Sequence, residues 1–345
     1  MAYLMIDQLM QHLSSHGIAI SGDVQKRQLT NMGYFHGYKG YRFFQTQKKR
    51  LPFTSFHEIY ELFQYDAALK ALMYSQVMFI ESAVKNVSIN CILKATNSES
   101  IQTMMDNIVL SFRNAPSSST PDQRKRFQQN KLNLQKLIQT DLARAYRMNN
   151  PKITHFYNNI SYSGVPVWAL FEIIMMGDLG FLLSCLTREV RESISRAIGF
   201  NLASDTNREL VYKYIYTLKD LRNAIAHNSV VFDARFRNID PSSAMKQCLM
   251  QDVKLPYINF KTIGDYVILI CYYLVGLAIE KEEVLAFIDN FIDVTIRFQS
   301  SVSVSVSSMV VHPDLMMRMS TLKSFVEKAY LSVKFYSVGE FFQKQ

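Results

Sequence analysis

The chain has 345 residues, 48% of them hydrophobic, and Lys plus Arg exceeds Asp plus Glu by nine. That is enough apolar material for a well-buried core in one large domain or two smaller ones. Twelve glycines and eight prolines are few for this length, which argues against a turn-rich β architecture and for long helices. The basic excess fits a polyanion partner, nucleic acid first and an anionic membrane second, with plain solubility as the alternative.

Four cysteines, Cys91, Cys185, Cys248 and Cys271, are far apart and lack the C-x-x-C spacing of a zinc ribbon. Each sits in an apolar stretch, as buried reduced thiols do. The N-terminal MAYLMIDQLMQHL has no signal-peptide pattern, so a cytoplasmic location is expected. The longest apolar run, Tyr266 to Ile279, is shorter than the ~20 residues a membrane span needs and reads as a buried helix.

In chain order, residues 4–15 form an amphipathic pattern ending near Gly17, and a second short helix is expected over 22–32. GYFHGYKGYRFF, residues 33–44, follows and runs into a basic stretch. Tyr34, Tyr38 and Tyr41 can stack on bases, and Lys39, Arg42, Lys48, Lys49 and Arg50 can meet phosphates. The competing reading is that these aromatics pack the N-terminal module onto the main body. Residues 55–95 carry apolar residues at helical spacing in one or two long helices, with Glu81 and Lys85 at i, i+4.

RNAPSSSTPDQ, residues 113–123, is an exposed loop, and a basic helix over 122–148 follows. Its Arg124, Lys125 and Arg126 belong to a solvated face or to the wall of a nucleic-acid groove. The segment 166–186 starts on Pro166, holds the chain's one tryptophan, Trp168, and reads as central core. Its Glu172 and Asp178 suit buried partners or a turn better than a catalytic carboxylate pair. A capping box of Thr206 and Glu209 is expected to open the helix to residue 226. Helices over 262–280, 281–299 and 314–332 complete an all-α chain. The serine–valine alternation at 300–308 fits an extended segment or a linker.

The helix from Thr206 has an apolar stripe of Val211, Ile215, Leu218 and Ile225, with Arg222 set into it. An arginine there is costly unless it is paired or faces a wet cleft. Asn223 follows, and His227 stands where the helix ends. Arginine and histidine form a minimal set for cutting RNA without metal or cofactor. The guanidinium holds the scissile phosphate as a bidentate fork, and an imidazole, which titrates near neutral pH, moves the proton of the 2′-hydroxyl. Asn223 can orient His227 or donate to the phosphate. With 17 arginines and 7 histidines, roughly 0.3 such spacings arise by chance, so the spacing alone is weak and a structural Arg with a capping His remains the alternative.

LRNAIAHN, residues 221–228, resembles the active-site signature of the HEPN superfamily. QLMQHLSSHGIAIS with QLTNMGYFHGYKGYRFF, then QVMFIESAVKN, then PVWALFEIIMMGDLGFLLSCL, resemble segments of the bacterial Abi-like (AbiD/AbiF) abortive-infection proteins, in order, over most of residues 5–235. The resemblance implies an all-α HEPN-type helical core and fades after about residue 240; the expected division is an N-terminal aromatic and basic module (1–52), the helical core (53–240) and a C-terminal helical extension (241–345). It implies phage defence, RNA as substrate or partner, and a homodimer in which two motifs face one cleft. It assigns catalytic places to Arg222, Asn223 and His227. It sets Glu81 and Lys85 beside the cleft, with Lys85 standing where an arginine is expected. No metal, membrane or DNA partner is expected. The function so implied is an endoribonuclease, silent until infection and then toxic to its host cell, leaving 2′,3′-cyclic phosphate ends. The alternatives are a non-catalytic protein bound to a small structured noncoding RNA, and a partner of another toxin.

Overall fold

The computed structural model describes residues 4–237 and 240–332; the rest of the expected C-terminal extension lies outside the described residues. Sixteen α-helices form among them and no strand, so the chain is an all-α bundle. The N-terminal module holds α1 (Ile6–Ser15), α2 (Gly22–Met32), a π-helical turn over Gly33–Tyr38, and the one-turn α3 (Lys39–Tyr41). Gly17 follows α1 at φ 81°, a conformation glycine adopts without a Cβ clash.

The expected helix over 55–95 is one uninterrupted helix, α4 (Phe56–Thr96). Ser55 opens it: its hydroxyl accepts from Glu58 N–H at 3.4 Å, and Glu58 Oε2 accepts in return from the amides of Thr54 and Ser55. Next come α5 (Ile101–Asn107), α6 (Pro121–Arg147) and α7 (Pro151–Asn158). Thr120 and Gln123 form the capping box of α6, and Pro121 takes the first helical position, where a missing N–H costs nothing.

The apolar segment 166–186 is two helices, α8 (Val167–Ile173) and α9 (Met176–Cys185), because Ile174 and Met175 take extended backbone. After α10 (Arg188–Ala197), α11 (Leu210–Ala226) begins later than the sequence suggested. The expected Thr206–Glu209 box does not form. The buried carboxylate of Asp205 caps the helix instead, accepting from the amides of Glu209 (2.9 Å) and Leu210 (3.4 Å). Asp205 wins because a carboxylate is a stronger acceptor than a hydroxyl at the positive end of a helix.

The last third comprises α12 (Ser243–Val253), α13 (Ile263–Gly276), α14 (Lys281–Ser301), α15 (Val304–Val310) and α16 (Leu315–Ser332). The serine–valine stretch is therefore neither extended nor a linker. It is the end of α14, a break at Val302 and Ser303, and α15. Serine hydroxyls at 300 and 301 bond back to the carbonyl of Arg297, and Val306 is buried.

Helix α4 is the axis of the molecule, and α10, α11, α13 and α14 pack around it. One cluster of buried hydrophobics runs from Leu13 to Val326, through both expected domain boundaries. Helix α13 is buried on every side as far as Leu274, which explains its nearly unbroken apolar sequence. Among the described residues no helix is long and apolar enough to cross a membrane. Cys185, Cys248 and Cys271 are buried free thiols, and Cys91 is half-buried. Burial pushes the Cys185 thiol up to about 11, so it stays protonated and unreactive.

Candidate active site at the end of helix α11

Helix α11 is seated closely against α9. A Cβ on Gly180 would stand 3.0 Å from the Tyr216 ring, and one on Gly177 would stand 3.2 Å from the Lys219 stem. These two glycines let the helices approach and fix which face of α11 meets α4. On that face Leu218 and Leu221 are fully buried.

Arg222 is 24% exposed, and its Nε lies 3.7 Å from Glu81 Oε2 on α4. Glu81 Oε1 meets Lys85 Nζ at 3.0 Å. One buried carboxylate thus stands between two cations, and the cluster keeps a net charge of about +1. The separation from Arg222 is ionic and exceeds hydrogen-bond length. Both Nε and Oε2 are buried with no hydrogen-bond partner among the described residues. The resemblance set Glu81 and Lys85 at the cleft, and the structure brings both together with Arg222. The arginine on the apolar stripe is accommodated by this pairing and by partial access to water.

Asn223 is half-buried, and its carbonyl accepts from the His227 amide at 2.9 Å. His227 is the C-cap of α11 and is exposed to solvent. Asn228 follows in the left-handed region at φ 52°, where asparagine is tolerated better than most residues. The helix therefore stops sharply, and the imidazole is presented at its end.

The sequence reading missed what holds that end. Lys70 Nζ donates to Asn228 Oδ1 at 2.8 Å and pairs with Asp66 Oδ2 at 2.8 Å. Asp66 is fully buried and accepts three further bonds: from Tyr41 Oη (2.7 Å), Val231 N (2.7 Å) and Phe232 N (2.8 Å). Burial, then the adjacent Asp66 charge, pushes the Tyr41 phenol far above its ordinary range, so it remains a donor. One carboxylate joins the N-terminal module, α4 and the segment after His227. The available signal was an acid and a lysine at i, i+4 on the buried face of α4, in line with Leu62, Leu69 and Met73.

The expected RNA-binding residues divide by burial. Tyr38 and Tyr41 are core residues, which is the packing alternative raised above. Tyr34 is half-buried, stacks on Tyr38 at 5.3 Å between centroids, and carries Lys39 over its ring. Lys39 and Arg42 line a cavity of about 500 Å³ together with Arg235. Arg235 itself is spent on Asp233 and the carbonyl oxygens of Gly40 and Phe43. Lys48, Lys49 and Arg50 are exposed, and Lys49 lies over the Phe44 ring. Arg124 bonds the carbonyls of Pro116 and Ser119 and so braces the loop before α6, whereas Lys125 and Arg126 point to solvent.

Glu172 pairs with Lys152. Asp178 is raised by burial and lies near Arg144. Among the described residues no group of three or more His, Cys, Asp or Glu is placed to hold a metal.

The sequence model of the Abi-like protein family matches residues 27–233. The chain belongs to that family. The match contains α4, α9 and α11, and so includes Asp66, Lys70, Glu81, Arg222 and His227. Membership points to abortive infection, a defence against phage. No curated protein and no solved structure matches the chain.

Proposed function

We propose that this Abi-like protein is an antiphage endoribonuclease of the HEPN type that cuts RNA without a metal and is toxic to the host cell once released. The observation that carries the reading is Arg222, held half-open by Glu81, on the helix whose end presents His227. Five positions along a helix correspond to an axial rise of about 7–8 Å, so two long side chains can serve one phosphodiester.

Arg222 binds the scissile phosphate and stabilises the charge that builds on its oxygens. His227 takes the proton of the 2′-hydroxyl. The 2′-oxygen attacks phosphorus, and the 5′-oxygen leaves and is protonated. The products are a 2′,3′-cyclic phosphate and a 5′-hydroxyl. Asn223 orients the imidazole or donates to the phosphate.

One copy of the chain is half of the proposed site. Tyr74, Met78, Glu81 and Lys85 follow one line along α4 by helical spacing, and Tyr74 is solvent-exposed. This apolar stripe leads into the charged cluster and suits a second copy of the chain, whose His227 then protonates the leaving oxygen. The test is growth of cells expressing the wild type, R222A or H227A at matched levels. Toxicity lost in both variants supports the reading, and variants as toxic as wild type sink it.

A further inference from the structure

Exposed large apolar side chains are unevenly spread. Of nineteen among the described residues, seven fall between Tyr146 and Met175. Four are aromatic: Tyr146, Tyr157, Tyr162 and Trp168. Monomeric proteins seldom concentrate exposed aromatics this way without a ligand for them.

These rings are held by edge-to-face contacts and still keep much of their surface exposed. Tyr162 and Trp168 rest on the buried Phe156, with centroids 4.9 and 5.3 Å away. Tyr146 meets Tyr157 edge-to-face at 5.5 Å. Trp168 Nε1 donates to Glu99 Oε2 at 3.1 Å, and Tyr146 Oη donates to Asn158 Oδ1 at 2.9 Å. Trp168 is nonetheless 41% exposed. A shallow cavity of about 530 Å³ is lined by Pro151, Thr154, His155, Asn158 and Asn159, of which His155 meets Tyr162 and Asn158 accepts from Tyr146. Fixed aromatic faces beside amide groups suit bases that stack and then bond through their edges.

A row of cations leads to this platform. Lys125, Lys136 and Arg147 on α6 are exposed and spaced by eleven residues. Eleven residues are close to three turns, so the three share one face at intervals of about 16 Å. The acids on α6 are Asp122, in its first turn, and Asp141, which is buried and paired with Arg144 at 2.9 Å. Arg147 ends the row next to Tyr146. Helix α6 packs on α7, α8 and α9, and α9 packs on α11.

We propose that the cationic row of α6 and the Tyr146–Trp168 platform form a track for single-stranded RNA, separate from the Arg222–His227 centre. It rests on RNA as the ligand of this protein and is independent of whether the protein cleaves. Phosphates follow the lysines and Arg147, and unpaired bases stack on the tyrosines and Trp168. The cationic approach favours RNA over a protein partner. A duplex keeps its bases stacked inside and cannot use the rings.

Trp168 is the chain's one tryptophan and reports directly on its own site. The full wild-type chain is titrated with a 2′-O-methyl oligouridine, which has no nucleophilic hydroxyl and is not cut. Saturable quenching of Trp168 fluorescence is expected. Y157A/Y162A should weaken binding about thirtyfold or more, since each stacked base contributes separately. K136Q/R147Q should flatten the salt dependence of affinity. The readout is binding of an RNA that cannot be cut, so a failed nuclease reading leaves this result intact. All variants change exposed side chains, and an unchanged unfolding transition checks the fold. The proposal is overturned by absent quenching, by wild-type affinity in Y157A/Y162A, or by equal affinity for a duplex. It is also overturned if Y157A/Y162A changes the oligomeric mass and leaves RNA affinity unchanged, which would assign the patch to a protein contact.

Discussion

Lys70 Nζ and Asn228 Oδ1 lie 2.8 Å apart, a bond from the middle of α4 to the residue immediately after His227. Because Lys70 also pairs with the fully buried Asp66, the end of α11 is fixed to α4, around which the bundle packs. A histidine that moves protons must be held within a fraction of an ångström of its working position. Replacing Lys70 with Met should therefore lower kcat about tenfold with little change in KM. It should also destabilise the fold by about 1–3 kcal/mol, since Asp66 keeps three other donors. Steady-state cleavage and chemical denaturation of K70M, with K70R as the conservative control, measure both.

Glu81 shares its two oxygens between Arg222 and Lys85. Removing it frees two cations that water reaches in part, so E81A should cost only about 1 kcal/mol of stability. The effect on cleavage should be larger. An untethered guanidinium loses its aim, and a drop of about tenfold in kcat/KM is expected. A variant that cleaves as well as wild type would show that Arg222 is aimed by something else.

Glu58 gives a pH prediction. Burial would raise its carboxyl, but bonds from Ser303, Thr54 and Ser55 outweigh that and hold it below the ordinary glutamate range. A lowered folded-state value means that the ionised group stabilises the fold above its unfolded pKa. That contribution is lost as the pH falls through the lowered value. E58Q should be less stable than wild type by about 1 kcal/mol at neutral pH, and the gap should close in acid. Thermal melts of both proteins across that range test it. Because Ser303 is one of the donors, the same substitution should also loosen the start of α15.

Gly276 ends α13 where α10 turns. A Cβ there would stand 2.4 Å from the carbonyl oxygen of Ile198, and one on Gly199 would stand 2.6 Å from the carbonyl oxygen of Gly276. Neither contact can relax without separating two backbones. G276A should cost about 2–3 kcal/mol. Denaturant midpoints should show the loss with little change in slope.

The helices were legible wherever periodicity and caps agreed. Apolar spacing placed α4, and the Pro- and Ser-rich loop over 113–123 marked where the basic helix α6 begins. The reading failed where a neighbour distant in sequence decided the matter. Asp205 displaced the Thr206 box because it is buried against the start of α11. The serine–valine stretch folds as helix because Val306 finds the core and Glu58 caps Ser303 from the far end of the chain. The resemblance set Glu81 beside the cleft without its contact to Arg222, and it did not point to Asp66, Lys70 or Asn228. The bonds from Lys70 to Asn228 and from Val231 and Phe232 to Asp66 span more than 150 residues, and the i, i+4 spacing of Asp66 and Lys70 does not reveal them. Tyr38 and Tyr41 show the limit of composition, since an aromatic, basic segment reads alike whether its rings face RNA or the core.

The most direct test of the central claim is end-group analysis of RNA incubated with the purified chain in excess chelator. The account predicts 2′,3′-cyclic phosphate and 5′-hydroxyl ends from the wild type, and intact RNA from folded H227A and R222A. Cleavage by H227A at the wild-type rate, or products bearing 5′-phosphates, would contradict it.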